Sequence, residues 1–336
     1  MMNTSSLERL CRQCGLGSLL SEPTVVTGGE LHCVWHLRTE QGEFAAKELN
    51  TAILRQPGLA DDYRRAEQVA EAMAAHGIPA VATHSYQGEL LQTIDEKTFL
   101  LSTWIPGELL PPGPVEPARA RLIGSILAQM HALPLPYTEL DTLSWPHFSE
   151  EVWDMLTFQG SDLGLSWANP VRALLPQLLT WDKLSQEAAE RLNQRLVVSH
   201  RHLDPSNVIW CDASTPKIVD WESAGPINPT MELSGVALSW SGYTVGQPQE
   251  EVFSAVLEGY LRAGGQIHDN GLDALHGLLG SGLGWLLFHM RRSLGESIEN
   301  EDEQQQGEAA AKQTLILLRS LAEHAEIWAQ WVEHWR

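Results

Sequence analysis

Hydrophobic and polar positions change their period along this chain, and the change divides it. Within residues 5–14, Leu7, Leu10, Cys11 and Cys14 recur at helical spacing on one face, and Gly15 ends the run. Residues 24–27 and 31–37 alternate instead, as two antiparallel strands joined through Gly28-Gly29 would, and 43–49 follows as a third strand after the turn at 39–42. Helical period returns over 61–76, with Tyr63, Ala66, Val69, Ala70 and Met73 on one side and Gly77-Ile78-Pro79 closing it. Residues 90–94 and 98–104 read as a further hairpin.

Past a proline-rich break at 111–117 the pattern turns helical, over 119–133 and again over 187–195. A short apolar run at 196–199 and a hairpin of 208–210 with 217–220 interrupt it. Everything beyond Met231 then reads as helix. The acidic, glutamine-rich tract 299–307 predicts a solvated link between two helices. Trp285, Trp328, Trp331 and Trp335 on the flanking helices are expected as packing anchors. The pattern predicts an α+β fold, strand-rich over residues 1–105 and mainly helical over 106–336.

Composition adds three constraints. A chain of 336 residues is too long for one small core and suits two lobes. With 43 acidic against 22 basic side chains, the net charge of −21 repels nucleic acid and anionic membrane and favours cationic small molecules. No apolar run approaches the roughly 18 to 20 residues that span a bilayer, and residues 1–20 carry charges among their leucines, so a cytoplasmic protein is expected. Cys11 and Cys14 have no second ligand pair and share a face with leucines, which predicts core packing instead of a metal or redox site.

The chemistry concentrates in His200-Arg-His202-Leu-Asp204-Pro-Ser-Asn207 and in Asp220. Their spacing is that of a phosphotransfer loop, His-x-Asp-Leu-x-x-x-Asn, followed by a hairpin and a metal-binding Asp. Such a reaction needs cations on the phosphates, oxygen ligands for the cations, and a group to take the substrate proton. Asn207 and Asp220 offer an amide oxygen and a carboxylate of the kind magnesium accepts. Lys47 can reach phosphate oxygens, held by Glu67 of the next helix, and Gly28 and Gly29 allow a close backbone approach.

The position of the proton-accepting Asp holds His202, and three readings stay open. The imidazole, with an unperturbed pKa near ~6.5, acts as base itself. Alternatively Asp204 turns in, against the stiffness of Pro205 and a displacement on the order of 6 to 7 Å. Or the protein binds nucleotide without transferring phosphate, as a pseudokinase. A different class is raised by His200-x-His202-x-Asp204, which opens the zinc-hydrolase pattern His-x-His-x-Asp-His; Pro205 stands where the last ligand belongs and cannot bind metal.

On these residues the chain resembles the aminoglycoside phosphotransferase and choline kinase family, whose members share a protein-kinase-like fold. The resemblance rests on Phe44-Ala-Ala-Lys47, Ala66-Glu67, Thr103-Trp-Ile-Pro-Gly107, Leu127-Ala-Gln-Met-His131, residues 199–207, and Val219-Asp-Trp-Glu-Ser-Ala-Gly-Pro226. It implies a bilobal fold with a strand-rich N-lobe and a mainly helical C-lobe. It also implies Lys47 as phosphate-binding lysine with Glu67 as its partner, Asn207 and Asp220 as magnesium ligands, and a hinge at 99–104, including Thr103 and Trp104, for the base of ATP or GTP. The implied acceptor is a hydroxyl of a small molecule, expected to be cationic, with Glu222 and Glu232 as its candidate carboxylates. The departure is His202, where the family has a carboxylate; Asp204 matches the second acidic position of the loop.

Overall fold

The computed structural model describes residues 4–26, 31–136, 145, 147–246 and 248–336. In chain order it forms α1 (Thr4–Gln13), β1 (Thr24–Val26), β2 (Cys33–Thr39), β3 (Gly42–Leu49), α2 (Thr51–Leu54), α3 (Leu59–Ala75), β4 (Gln92–Ile94), β5 (Lys97–Thr103) and β6 (Glu108–Leu109). Then follow α4 (Pro117–His131), α5 (Glu150–Asp162), α6 (Ala168–Ala173), α7 (Leu175–Leu192), β7 (Val197–Ser199), β8 (Val208–Trp210), β9 (Pro216–Ile218) and β10 (Gly225–Ile227). The chain finishes with α8 (Pro229–Trp240), α9 (Glu250–Arg262), α10 (Gly271–Ser293) and α11 (Glu301–Glu333). The fold is α+β, a strand-rich beginning followed by helices, as the periodicity predicts. Among the described residues no helix is long and apolar enough to cross a membrane.

Two compact units divide the chain, Met1–Leu109 with Asn207–Ala224, and Leu110–Ser206 with Gly225–Arg336. The boundary expected near residue 105 therefore needs amending, because the β8–β9 hairpin packs with the first unit. Backbone pairing is the reason. β8 pairs with β6, Ile218 N–H donates to Pro79 O and Val81 N–H to Ile218 O, both at 2.8 Å, so edge groups that would otherwise be orphaned are satisfied there.

In the first unit an antiparallel sheet of order β1-β2-β3-β5-β4 alternates its side chains between two faces. Ala46 and its cross-strand partner Leu101 join Leu37 and Phe99 beneath Leu7, Leu10, Cys11 and Cys14 of α1. Burial pushes both thiols up to about 11, so they behave as small hydrophobes, as expected. Lys47, one residue on, lies opposite Leu100 on the other face, where Leu49 and Leu100 pack on Tyr63 of α3. The pleat alone thus aims Lys47 at α3.

In the second unit α8 is buried all round and is started by Asn228, whose side chain accepts from the backbone N–H of Thr230 and Met231, with Pro229 in its first turn. α4 and α9 approach so closely that a Cβ on Gly124 or Gly259 would run into the other helix's backbone. Two expectations are corrected. Residues 299–307 are no link: Asn300 caps α11, accepting from Glu303 N–H at 3.1 Å, and Glu301, Asp302 and Glu303 occupy its first turn. Acidic side chains there oppose the positive end of the helix dipole, so composition that reads as solvated chain is composition for a helix start. Trp285 is 42% exposed and stacks on His289, whereas Trp328 is buried.

Candidate active site

Lys47 is the centre of a charged cluster in the first unit. Its Nζ donates to Asp220 Oδ1 at 2.5 Å and to Glu222 Oε2 at 2.6 Å. Asp220 precedes a short turn, Trp221–Ser223, on which α3 packs. Its φ of 63° and ψ of 62° are left-handed, a conformation that costs a non-glycine residue about 1–2 kcal/mol. Trp221 holds the turn: its ring is buried and its Nε1 donates to Ile218 O at 3.1 Å. Strain maintained in this way, at a residue aimed at a half-buried lysine, marks a site that the surrounding packing over-determines.

Burial works against the Lys47 ammonium, but Glu222 and Asp220 outweigh it and hold its pKa up to about 12. Burial likewise opposes the Glu222 carboxylate, and Lys47 and His32 more than compensate, keeping it far below the usual carboxylate range. Glu67 behaves differently. Its pKa is raised by burial, only partly offset by Thr83, whose N–H it accepts at 3.1 Å, and by the charge of Lys47. The lysine's ion-pair partners among the described residues are Asp220 and Glu222, and Glu67 acts on it through charge at longer range. Glu222, expected on a substrate, points at the lysine instead.

His32 was not singled out by any sequence motif, yet it joins this cluster. Its Nδ1 accepts from Asn50 N–H at 3.0 Å, which puts the ring proton on Nε2. Nε2 lies 2.8 Å from the Tyr63 hydroxyl and 3.2 Å from Glu222 Oε2. A lone histidine in a predicted strand carries no signal of this, since its partners come from three distant segments.

Asn207 sits where the hairpin begins. Its carbonyl accepts from Val219 N–H at 3.0 Å and Val208 pairs with Ile218, so Asn207 and Asp220 lie at the same end of β8 and β9. An amide, a carboxylate and a neighbouring cation form a donor set suited to magnesium and phosphate. Gly28 and Gly29 lie outside the described residues. Thr103 ends β5 with its hydroxyl 2.8 Å from His84 Nε2. Trp104 has one face covered by His36, with ring centroids 3.8 Å apart.

The loop after β7 belongs to the second unit. Arg201, also left-handed at φ 66°, donates its N–H to Glu232 Oε1 at 2.7 Å. Glu232 Oε2 meets His131 Nε2 at 2.7 Å, and His131 Nδ1 meets the Tyr260 hydroxyl at 2.9 Å. Glu232 is 4% exposed with both oxygens occupied, which corrects its expected place on a substrate: it anchors the loop from inside the core. Burial opposes its charge, and His131 outweighs that and lowers its pKa.

His202 projects outward with about half of its side chain exposed, and its Nε2 lies 3.3 Å from Asp204 Oδ2. Burial opposes the Asp204 charge, and His202, helped by Ser239 and His200, outweighs it and lowers the pKa. An anionic carboxylate only accepts, so the pair puts the ring proton on Nε2 and the basic lone pair on Nδ1. His200 is buried, with Nδ1 accepting from His202 N–H at 3.3 Å. Among the described residues no group of three or more His, Cys, Asp and Glu side chains is gathered for a metal ion, and the zinc pattern finds no such cluster here.

A family profile described as "Phosphotransferase enzyme family" matches residues 23–271. No curated protein matches the chain. Among solved structures, a spectinomycin phosphotransferase in complex with ADP and spectinomycin superposes with a TM-score of 0.69 at 11% identity, covering 96% of this chain and 99% of that one. The ethanolamine kinase of Plasmodium vivax gives 0.59 at 15% identity, over 89% and 83% of the two chains. The choline kinase of Cryptosporidium parvum gives 0.58 at 12%, over 99% of each. At these identities the likeness is one of fold.

Proposed function

Because the chain belongs to the phosphotransferase enzyme family, we infer that it moves the terminal phosphoryl group of ATP or GTP to a hydroxyl of a small, cationic molecule. The observation that carries this reading is the meeting of Lys47 with Asp220, 173 positions apart in sequence, at 2.5 Å. When bound, the magnesium nucleotide supplies the group to be transferred. Asn207 and Asp220 are the residues to hold the metal, and Lys47 the cation to neutralise phosphate oxygens. A cytoplasmic location, where nucleotide and magnesium are available, fits this reading.

His202 takes the hydroxyl proton on Nδ1, while Asp204 keeps the other nitrogen protonated and steadies the imidazolium that forms. This favours the imidazole over a rotated Asp204, because Asp204 is already engaged as the partner of His202. The second reading, a nucleotide-binding pseudokinase, keeps its support from the missing Asp. Since the transition state is loose and a base is worth about 10² to 10⁴ in rate, replacing Asp by His leaves room for turnover.

The experiment is a transfer assay with magnesium ATP or GTP against spectinomycin, choline and ethanolamine, in wild type and His202→Asp. Phosphorylated product from the wild type supports the enzyme. Nucleotide binding with no product from the wild type, but product from His202→Asp, establishes the pseudokinase.

A further inference from the structure

Lys47 needs a carboxylate that keeps it charged and fixes its direction, and the resemblance assigns that task to Glu67. Glu67 accepts from Thr83 N–H and acts on Lys47 through its charge, without an ion-pair contact. Glu222 lies 2.6 Å from Nζ and is itself tethered, both contacts running through Oε2. The tether is His32, whose ring is locked from one side by Asn50 N–H on Nδ1 and placed on the other beside the Tyr63 hydroxyl. Tyr63 comes from α3, the same helix that carries Glu67. The helix therefore reaches the lysine by contact through Tyr63, His32 and Glu222 in series, beside the longer-range charge of its own glutamate.

We propose that Glu222 is the positioning carboxylate of Lys47, and that His32 and Tyr63 are positioning residues that hold it there. The imidazole suits the task because its two nitrogens differ. One accepts from backbone and so fixes the tautomer, which obliges the other to present its N–H towards Glu222 and Tyr63. The His32 side chain is 4% exposed, so water competes little for that N–H. Burial, reinforced by Glu222 and Asp220, keeps the Tyr63 phenol protonated and uncharged beside them.

The kinetic part of the test rests on the phosphotransfer reading; the pairing is tested without it. In full-length protein with ¹⁵N-labelled histidine, the His32 ring should show the Nε2–H tautomer, and its resonances should move in Glu222→Gln and stay in Glu67→Gln. In steady-state assays Glu222→Gln should lower kcat/KM for magnesium nucleotide by about tenfold or more. His32→Phe should lower it severalfold, chiefly through KM, and His32→Gln, which restores a side-chain N–H donor, should recover part of the loss. Glu67→Gln should cost less than Glu222→Gln. A larger loss in Glu67→Gln, or a His32 spectrum indifferent to Glu222→Gln, overturns the proposal. If no acceptor is phosphorylated, nucleotide affinity replaces turnover in the same variants; the phosphotransfer reading then fails, while the histidine spectrum still decides the pairing.

Discussion

Two acid–base clusters, one in each unit, look alike in composition and differ in closure. Glu232, His131, Tyr260 and the Arg201 backbone form a sealed chain in which each carboxylate oxygen has a donor and Glu232 is 4% exposed. Lys47, Asp220, Glu222 and His32 form an open one: the Asp220 side chain is 36% exposed, two carboxylates share one ammonium, and the aspartate is held in a strained conformation. A sealed network gains nothing from a ligand and serves to fix a loop. An open network with surplus negative charge beside a cation can exchange a partner for a metal ion or a phosphate. Closure, more than residue type, distinguishes the two clusters.

The comparison breaks most visibly at Asp220. Asp220→Ala should cut phosphotransfer by about a thousandfold while barely changing the denaturant midpoint, since the group is partly exposed; a large loss of stability would place Asp220 with the sealed cluster. Glu232→Ala should show its effect in stability. It leaves His131 and the Arg201 N–H without their carboxylate in the core, and should cost about 3 kcal/mol of unfolding free energy in urea titration.

His202 sharpens the same contrast at the outer end of the loop. His202→Ala should lower transfer by about a hundredfold without measurable destabilisation.

The smallest effect separates the two glutamates. Glu222 has its folded pKa depressed, so its stabilisation is present above the unfolded value near ~4.3 and is lost as pH falls below it. Glu67 has its folded pKa raised, so its contribution is present below the unfolded value and is lost as pH rises through the folded one. Glu222→Gln should therefore flatten the acid limb of a stability–pH curve by about 1 kcal/mol, and Glu67→Gln should not.

Much of this was legible in local pattern. Leu7, Leu10, Cys11 and Cys14 announced one helical face, and the alternation through Ala46 and Lys47 decided which side of the sheet the lysine takes. The spacing from His200 to Asn207 and Asp220 pointed to the family whose profile matches residues 23–271. Other features were not legible. The tract from Glu301 to Glu303 reads as solvated chain until its cap, Asn300, is placed. Nothing around His32 or Glu232 distinguishes the first as a tether or the second as an anchor.

By itself the sequence determined the order of strands and helices, the face each side chain takes, and the inventory of polar groups available to a site. Those follow from steric rules that act over a few residues, and a covalent chain carries them intact. Only the tertiary structure decided who pairs with whom: Lys47 with Glu222 instead of Glu67, Glu232 with His131, and the β8–β9 hairpin with the first unit. Ion pairs and hydrogen bonds form or fail within a few tenths of an ångström, between segments more than a hundred residues apart. Such distances are set by the packing of the whole unit and are written in no local stretch of it.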